Sequence, residues 1–316
     1  MSDIKLLAID LAKNVFQLHG VNSKGSCIVK KRLKRYELKE FVANLPTCVI
    51  AMEACGSSHY WGRVFIEYGH EVKLIAPQFV KPFVMSNKND VNDARAIAEA
   101  ASRPTMRFVG VKSQRQQTQL SLHKARQLAK KQRTSQSNQI RGLLAEYGLT
   151  IPEGIHNLKK VPPLLEEHKE VLGLELVALF KRLYEMFLKL DEEVRYYDKK
   201  IEQSIIDCPI ANEILKIDGV GVMVASAITA LIGDPNKFRN GREVAAWLGL
   251  TPKQNSSGNK IRLAGISKRG DSYVRSLLIH GARATIRYAS QRDDKKSKWI
   301  TKLKNRSSYN NAAVAL

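Results

Sequence analysis

Four acidic residues lie where their side chains could support metal-dependent chemistry. Asp90 and Asp93 are three residues apart in the stretch 87–99, which is predicted to begin a helix. That spacing puts their carboxylates on one side of the helix, about a turn apart. Asp10 and Glu53 each end an apolar, strand-like run. The alternative interpretation of Asp90 and Asp93 is stabilisation of the helix, because its dipole favours acids in the first turn.

Three or four carboxylates gathered in one cleft would repel each other. At about 5 Å and an effective dielectric constant near 20, each pair costs about 3 kcal/mol. Divalent cations offset such a cost, and a set of oxygen ligands suits Mg²⁺ or Mn²⁺. Two such ions can activate a nucleophile and stabilise the leaving oxygen when a phosphodiester bond is cut. The acids therefore predict a metal-dependent reaction on a phosphodiester.

The elements predicted around these acids have the order of an RNase H-like, or RuvC-like, α/β domain. Three successive strands are followed by helix, strand, helix, strand and further helices. The strands are predicted at residues 4–10, 15–21, 27–33, 48–52 and 70–75, and the helices at residues 36–45, 57–68 and from 77 onward. In that fold, acids at the ends of the first and fourth strands converge with acids on a late helix. A nucleotide-binding Rossmann domain is the rival, but no GxGxxG follows the first strand.

The chain has a large excess of positive charge. It carries 52 Lys and Arg against 30 Asp and Glu, a formal net charge of +22. This excess points to a polyanionic partner, and nucleic acid is the first candidate. A basic protein of the membrane surface, or one with no polyanionic partner, is the alternative. The longest apolar run, residues 222–232, is too short to span a bilayer.

Part of this charge is concentrated in one long predicted helix, residues 113–147. Residues 103–141 contain ten basic and no acidic residues. A polar helix of one charge sign suits the phosphate backbone of DNA or structured RNA. The candidate contacts are Lys124, Arg126, Lys130 and Lys131. An ordinary solvated face is the alternative, although such faces usually mix both signs of charge.

The middle of the chain is predicted to be a linker and a long helix. Residues 148–163 contain three prolines and indicate a linker. Residues 164–206 repeat apolar residues every three or four positions, as in a coiled coil. This helix is either an internal hairpin arm or an oligomer contact, and self-association is the favoured interpretation. We therefore predict a catalytic domain at 1–150, a linker and coiled-coil-like helix at 151–208, and a mainly helical C-terminal domain at 209–316.

Two segments of the C-terminal third could contact a phosphate. Residues 214–227 resemble the turn of a helix-hairpin-helix, in which Gly219 and Gly221 would let backbone N–H groups approach DNA. A plain turn between helices is an equal alternative. Residues 253–262 form a polar loop that leads into residues 266–271, and the basic candidates for nucleic-acid contact in these two stretches are Lys260, Arg262, Lys268 and Arg269. A serine hydroxyl in this loop could bind a phosphate, or attack it while nearby cations stabilise the developing charge.

Two motifs together are specific for one family. The sequence NDVNDARAIA at 89–98, with Asp10 and Glu53 upstream, resembles the DEDD domain of Piv-like insertion-sequence transposases. The sequence GLTPKQNSSGNKIRLAGISKRGD at 249–271 resembles the signature of their C-terminal transposase domain. Over essentially its whole length, the chain resembles the bridge-RNA-guided serine transposases, or recombinases.

The resemblance implies site residues, a cofactor and partners. The ligands of Mg²⁺, or Mn²⁺, would be Asp10, Glu53, Asp90 and Asp93. The serine before the motif glycine would form a covalent phosphoserine link to DNA; that serine is Ser257, with Ser256 beside it as the other possibility. The implied partners are double-stranded donor and target DNA, a guide RNA that pairs with both, and further copies of the chain in a dimer to tetramer with composite active sites.

Two other functions fit the same residues. A RuvC-like, junction-resolving endonuclease would cut DNA without a covalent adduct, and its C-terminal domain would only bind DNA. A catalytically silent nucleic-acid-binding protein would need none of the carboxylates.

The ends and the cysteines suggest where the protein acts. Met1 leads directly towards a strand, which predicts no signal peptide. The cysteines form no CxxC pair; they are Cys27, Cys48, Cys55 and Cys208. We expect reduced thiols in a cytoplasmic protein that acts at the bacterial nucleoid. Residues 312–316 lie in a predicted final helix, which the resemblance implies is longer in other members.

Overall fold

The computed structural model describes residues 3–85, 89–258 and 260–316. The residues of the predicted features that lie outside the described residues are Met1, Ser86, Asn87, Lys88 and Asn259. The chain forms two compact units, residues 1–114 and 115–316.

The first unit combines a sheet with short helices. Its elements are β1 (Leu6–Asp10), β2 (Val15–Val21), β3 (Cys27–Lys34), α1 (Arg35–Ala43), β4 (Val49–Glu53), α2 (Ser58–Glu67), β5 (Glu71–Ile75), α3 (Pro77–Val80), α4 (Asp90–Ala101) and β6 (Phe108–Val109). The strands and helices predicted from the sequence correspond to these elements within a few residues.

A six-stranded sheet is the centre of this unit. Its strand order is β3-β2-β1-β4-β5-β6, with β1, β4 and β5 parallel to one another and β2, β3 and β6 antiparallel to their neighbours. β1 is apolar at nearly every position because helices cover both of its faces. Leu7 and Ile9 share a buried cluster with Trp61 of α2, whereas Ala8 shares another with Ile97 of α4. The position of β1 is therefore fixed by helices that pack on both of its faces.

The second unit is mainly helical. Its elements are α5 (Gln114–Ala145), α6 (Val161–Glu167), α7 (Lys169–Ile205), α8 (Pro209–Leu215), α9 (Val222–Ile232), α10 (Gly241–Trp247), β7 (Pro252–Gln254), β8 (Leu263–Ile266), α11 (Ser272–Ala289), α12 (Lys295–Arg306) and α13 (Tyr309–Ala315). β7 and β8 pair as an antiparallel hairpin. The predicted fold class, a mixed α/β N-terminal part followed by a helical C-terminal part, is confirmed at this level.

α5 and α7 form an antiparallel helical hairpin. Arg126 of α5 pairs with Asp198 of α7, and Arg133 Nη1 lies 2.5 Å from Asp191 Oδ1. Residue numbers rise along α5 as they fall along α7, so the two helices run in opposite directions. The apolar face of α7 is thus used inside the chain, as the hairpin-arm interpretation predicts. Self-association stays a prediction.

The stretch predicted to be a linker is folded against this hairpin. It includes a 3₁₀ helix, Ile155–Lys160, and leads into α6. Leu158 and Val161 are fully buried in a cluster that also contains Ile140 of α5 and Phe180 of α7. The prolines do not prevent this packing, because two of them occupy the first turn of α6, where a helix tolerates proline.

The predicted domain boundaries at residues 150 and 208 stay predictions. By its contacts, α5 begins the second compact unit. Among the residues that the structure describes, no helix is both long enough and apolar enough to cross a membrane.

Candidate functional site

Three carboxylates, one from β1 and two from α4, meet at one end of β1. Asp10 is the last residue of that strand, and Asp90 and Asp93 lie in the first turn of α4, which packs against β1 and β2. One oxygen of each carboxylate lies within 4.8 Å of the other two. Asp10 and Asp93 are partly buried, and Asp90 is exposed. The structure therefore brings together three of the four acids proposed as metal ligands.

Helix capping does not account for this arrangement. The cap of α4 is Asn89, whose Oδ1 accepts a hydrogen bond from the backbone N–H of Asn92 at 2.8 Å. The helix dipole still favours Asp90 and Asp93 in the first turn, but it does not bring Asp10 to the same place. Convergence with an acid from a strand is what a metal site requires.

Glu53 lies near this cluster but is not part of its tightest group. It ends β4, the parallel neighbour of β1, and therefore lies at the same end of the sheet as Asp10. Burial, and then the charges of Glu53 and Asp10, raise the pKa of the Cys55 thiol, so both carboxylates are within electrostatic reach of one sulfur. Among the described residues, the group within 4.8 Å does not include Glu53. Its role as a fourth ligand stays a prediction.

The donor set of the cluster fits a hard divalent cation. Asp10, Asp90 and Asp93 offer carboxylate oxygens alone, the ligands that Mg²⁺ and Mn²⁺ prefer. At separations of about 5 Å, three like charges repel by about 3 kcal/mol per pair. A cation held by these oxygens would remove that repulsion.

The polar loop of the C-terminal region is the β7–β8 hairpin, which carries two serines near its tip. Ser256 Oγ accepts hydrogen bonds from the backbone N–H of Arg262 at 3.2 Å and from Gln254 Nε2 at 3.1 Å. Ser257 accepts a hydrogen bond from the N–H of Lys260 at 3.2 Å with its backbone carbonyl, and its side chain is exposed. The hydroxyl of Ser256 therefore braces the hairpin, whereas the side chain of Ser257 faces solvent.

The hairpin is anchored at its base by two glycines and an arginine. Gly249 and Gly270 have positive φ angles of 72° and 86°. A Cβ atom on Gly249 would meet the carbonyl oxygen of Arg269 at 2.0 Å, and one on Gly270 would meet that of Trp247 at 2.1 Å. Arg275 Nη1 donates a hydrogen bond to the backbone carbonyl of Arg269 at 3.3 Å and another to the backbone carbonyl of the first residue after α10 at 2.9 Å. Close backbone contact explains why the motif contains these glycines. No sequence pattern predicts the role of Arg275, because its partners are backbone carbonyls.

The predicted cations of this region are all exposed. Lys260 and Arg262 belong to the hairpin, and Lys268 and Arg269 lie in the turn before α11. The N–H of Lys268 donates to the carbonyl of Gly249 at 3.0 Å, which ties this turn to the base of the hairpin. The serines therefore lie on a segment rich in solvent-facing positive charge, which suits a phosphate backbone.

The predicted helix-hairpin-helix turn joins α8 and α9. Gly219 has a φ of 84°, and a Cβ atom there would meet the carbonyl oxygen of Gly281 in α11 at 2.6 Å. Packing against α11 therefore accounts for this glycine. Gly221 is exposed and precedes α9 without a side-chain capping bond. Of the two, Gly221 is the better placed for a phosphate, and that contact stays a prediction.

The four predicted contacts on α5 differ in their surroundings. Lys124, Lys130 and Lys131 are exposed. The side chain of Arg126 is only 16% exposed, and its guanidinium pairs with Asp198 of α7. Arg126 therefore holds the helical hairpin together, and the three lysines are the groups that face solvent.

A buried histidine with no sequence signature links three helices. His123 of α5 is 1% exposed, with Nδ1 2.9 Å from the Tyr273 hydroxyl of α11 and Nε2 3.2 Å from the Ser226 hydroxyl of α9. Burial, and to a smaller extent the charge of Arg126, lowers the pKa of His123 to about 4. The ring is therefore neutral at pH 7, so one nitrogen donates and the other accepts. Its partners are 150 and 103 residues away, beyond any local pattern.

Family comparisons assign both parts of the chain. A family model described as "Transposase IS116/IS110/IS902 family" matches residues 211–297. A model for the DEDD domain of IS110-type proteins, described as "Transposase", matches residues 7–149. The carboxylate cluster falls within the second match and Ser257 within the first.

Full-length relatives agree with these matches. The chain is 42% identical over 316 residues to a "Probable family 20 transposase" of Pseudomonas aeruginosa, covering 99% of this chain and 94% of the relative. It is 44% identical over 321 residues to the "Transposase for insertion sequence element IS1111A" of Coxiella burnetii, covering 100% and 87%. It is 37% identical over 316 residues to the "Transposase for insertion sequence element IS1328" of Yersinia enterocolitica, covering 100% and 94%. The chain belongs to the IS110/IS116 family of insertion-sequence transposases.

Proposed function

We propose that the protein is an RNA-guided DNA recombinase that cuts and rejoins DNA through a serine nucleophile, with the help of a carboxylate-bound divalent metal. The observation that carries the proposal is the meeting of Asp10, Asp90 and Asp93 within 4.8 Å. Transposition requires DNA to be cut and rejoined, and the family is one of transposases.

The first unit is proposed to have the RNase H-like fold. The strand order β3-β2-β1-β4-β5 supports this, with β2 antiparallel and β4 parallel to β1. The acids at the ends of β1 and β4 and in the first turn of α4 occupy the positions that this fold predicts for a metal site.

The proposed metal ligands are Asp10, Asp90 and Asp93, with Glu53 as the fourth. A bound Mg²⁺ or Mn²⁺ would stabilise negative charge on the phosphoryl and leaving oxygens. The protein itself positions the carboxylates. Pairing of β1 with both neighbouring strands fixes Asp10, and the Asn89 cap fixes the first turn of α4.

Ser257 is proposed as the nucleophile. Its Oγ forms a bond to phosphorus as the bond from phosphorus to one deoxyribose oxygen breaks. The hydroxyl gives up its proton and the leaving oxygen takes one up, so the exchange is balanced. The phosphoserine link retains the energy of the broken phosphodiester, and a strand can therefore be rejoined without ATP. Lys260 and Arg262 are proposed to stabilise the charge that develops on the phosphate.

The nucleic-acid partners are proposed from charge and from the family resemblance. Guide RNA is assigned to the exposed lysines of α5, because residues 103–141 contain ten basic and no acidic residues. Donor and target DNA are assigned to Gly221 and to Lys268 and Arg269, which lie in the turn at the base of the serine hairpin. A homo-oligomer, from dimer to tetramer, is part of the same proposal.

The test is a denaturing gel of protein incubated with end-labelled target DNA, guide RNA and Mg²⁺. Wild type and Ser256→Ala should form a slow, covalent protein–DNA band, and Ser257→Ala should form none while still binding DNA and RNA. If Ser257→Ala forms the band and Ser256→Ala does not, the nucleophile is Ser256. Nicked DNA without any band from the wild type would favour the junction-resolving endonuclease.

A further inference from the structure

The end of the second unit carries a cationic helix face with an exposed tryptophan. α12 buries Ser297, Ile300 and Leu303. The residues on the opposite side recur at helical spacing and are exposed: Lys295, Lys298, Trp299, Lys302 and Arg306. We call these five residues the α12 face. None of them belongs to the carboxylate cluster or to the serine hairpin.

Helix stability accounts for Arg306, which lies in the last turn of α12, but not for the lysines at the start of the helix. Lys295, Lys296 and Lys298 lie in the first turn of α12, where the helix dipole disfavours cations. The cap Asp294 offsets part of that cost, because it accepts hydrogen bonds from the N–H and the hydroxyl of Ser297 at 2.9 and 2.7 Å. The ion pair of Lys298 with an exposed aspartate adds little to the stability of the helix, because the pair is accessible to solvent. Binding of a polyanion to the α12 face would account for these positive charges.

The tryptophan narrows the choice of polyanion. Trp299 is 43% exposed in the middle of the face, although indole rings are usually buried to a large extent. An exposed aromatic ring among cations is the combination that binds single-stranded nucleic acid, because the ring stacks on a base while the cations contact phosphates. A duplex offers the same phosphates, but its bases are already stacked on one another.

The face adjoins a second candidate phosphate contact. Lys296 Nζ lies 3.3 Å from Asp218 Oδ2, and Arg292 Nη1 lies 3.5 Å from Asp218 Oδ1. These pairs join the start of α12 to the α8–α9 turn, which contains the exposed Gly221. The α8–α9 turn therefore lies next to the start of α12.

We propose that the α12 face and the adjoining turn bind an unpaired strand of nucleic acid, with Trp299 stacked on a base and the flanking lysines on phosphates. DNA and RNA share this chemistry. A recombination reaction guided by base pairing exposes unpaired strands of both kinds. The inference rests on the proposed function for the source of the unpaired strands, but its binding test needs neither the metal nor Ser257.

The experiment measures binding of fluorescein-labelled single-stranded DNA, single-stranded RNA and the matched duplex by fluorescence anisotropy. Full-length protein is used with EDTA, so the result does not depend on the cutting chemistry. Trp299→Ala should weaken single-strand binding by roughly 5- to 150-fold and duplex binding far less. Trp299→Phe should retain most of the affinity, because a phenyl ring also stacks. A loss for DNA alone, or for RNA alone, identifies the strand that is bound.

A matched pair of charge variants provides the control. Lys295→Gln with Lys302→Gln should reduce the salt dependence of single-strand binding by a slope of roughly 1.4, about 0.7 per phosphate contact. Lys181→Gln with Lys199→Gln removes the same charge from exposed positions on α7 and should leave the slope unchanged.

Three outcomes would overturn the inference. The first is wild-type affinity of Trp299→Ala for both single strands. The second is an equal loss for single strands and duplex, which would reduce the face to a general phosphate contact. The third is a sedimentation change in Trp299→Ala without any change in binding, which would make the face a contact between copies of the chain. Should Trp299→Ala fail to fold, the Trp299→Phe and lysine variants carry the test.

Discussion

The carboxylate cluster and the serine hairpin hold their reactive groups by different means. Asp10 ends a strand that is paired on both sides and covered by helices on both faces. Ser257 lies near the tip of a two-stranded hairpin whose strands are almost wholly exposed. A covered sheet fixes a side chain in advance, whereas a two-stranded hairpin is marginally stable alone. The order of the hairpin must therefore come from contacts outside its two strands.

That order comes from the base of the hairpin. Gly249 and Gly270 let backbone segments approach too closely for any side chain, and Arg275 donates to carbonyls on both sides of the base. The tip is left accessible to a large substrate. We therefore expect the carboxylate cluster to be organised before DNA binds, and contact with DNA to complete the surroundings of Ser257.

The largest expected effect follows from removing one carboxylate. Asp10→Asn or Asp93→Asn should abolish Mg²⁺-dependent recombination in a plasmid assay, because each removes a proposed metal ligand. The free energy of unfolding without metal should stay level or rise, because repulsion within the cluster is relieved. Asp207→Asn, at an exposed position on the second unit, is the control and should recombine normally. Full activity of either cluster variant would refute the metal site.

The next effect concerns the base of the hairpin. Gly249→Ala should lower the free energy of unfolding by roughly 2–4 kcal/mol and abolish the covalent adduct, because the new Cβ combines a left-handed φ with a backbone clash. Gly265→Ala in β8 has nothing within 4 Å of its added Cβ and should change little. Normal adduct formation by Gly249→Ala would show that the base does not position Ser257.

The third effect depends on pH. The pKa of His123 is lowered from 6.5 in the unfolded chain to about 4 in the fold, so the folded state favours the neutral ring. The preference for the neutral ring contributes on the order of 3 kcal/mol to the free energy of unfolding. This contribution is present above pH 6.5 and is lost as the pH falls towards 4. Denaturant unfolding from pH 7 to pH 4 should therefore show a smaller loss of stability in His123→Gln than in the wild type. Parallel pH profiles would contradict the buried, neutral histidine.

The smallest effect separates two kinds of basic residue on α5. Replacing Lys124, Lys130 and Lys131 with Gln should weaken RNA binding and reduce its salt slope by roughly 0.7 to 0.9 per lost contact. Arg126→Gln should instead destabilise the helical hairpin, because it leaves Asp198 without its partner. Salt titrations and thermal unfolding distinguish the two outcomes. An unchanged slope in the lysine variant would make this face merely solvated.

The sequence was a good guide where structure is local and a poor one where it is not. β1 and β4 were predictable because strands buried on both faces read as continuous apolar runs, and Asp90 and Asp93 because helical spacing places them on one side. The contacts of His123 and Arg275 join distant segments or use backbone carbonyls, and neither leaves a pattern of residue types. The apolar stripe of α7 predicted that the helix is buried, but could not say that α5 would cover it.

We propose that the carboxylates and Ser257 serve one reaction. The most direct test is the amount of covalent protein–DNA adduct formed by wild type, Asp93→Asn and Ser257→Ala with end-labelled DNA and guide RNA, with Mg²⁺ or with EDTA. We expect the wild type to form an adduct with Mg²⁺ but not with EDTA. Neither variant should form an adduct, although both should bind DNA and RNA as the wild type does. A full yield of adduct from Asp93→Asn, or from the wild type in EDTA, would contradict this proposal.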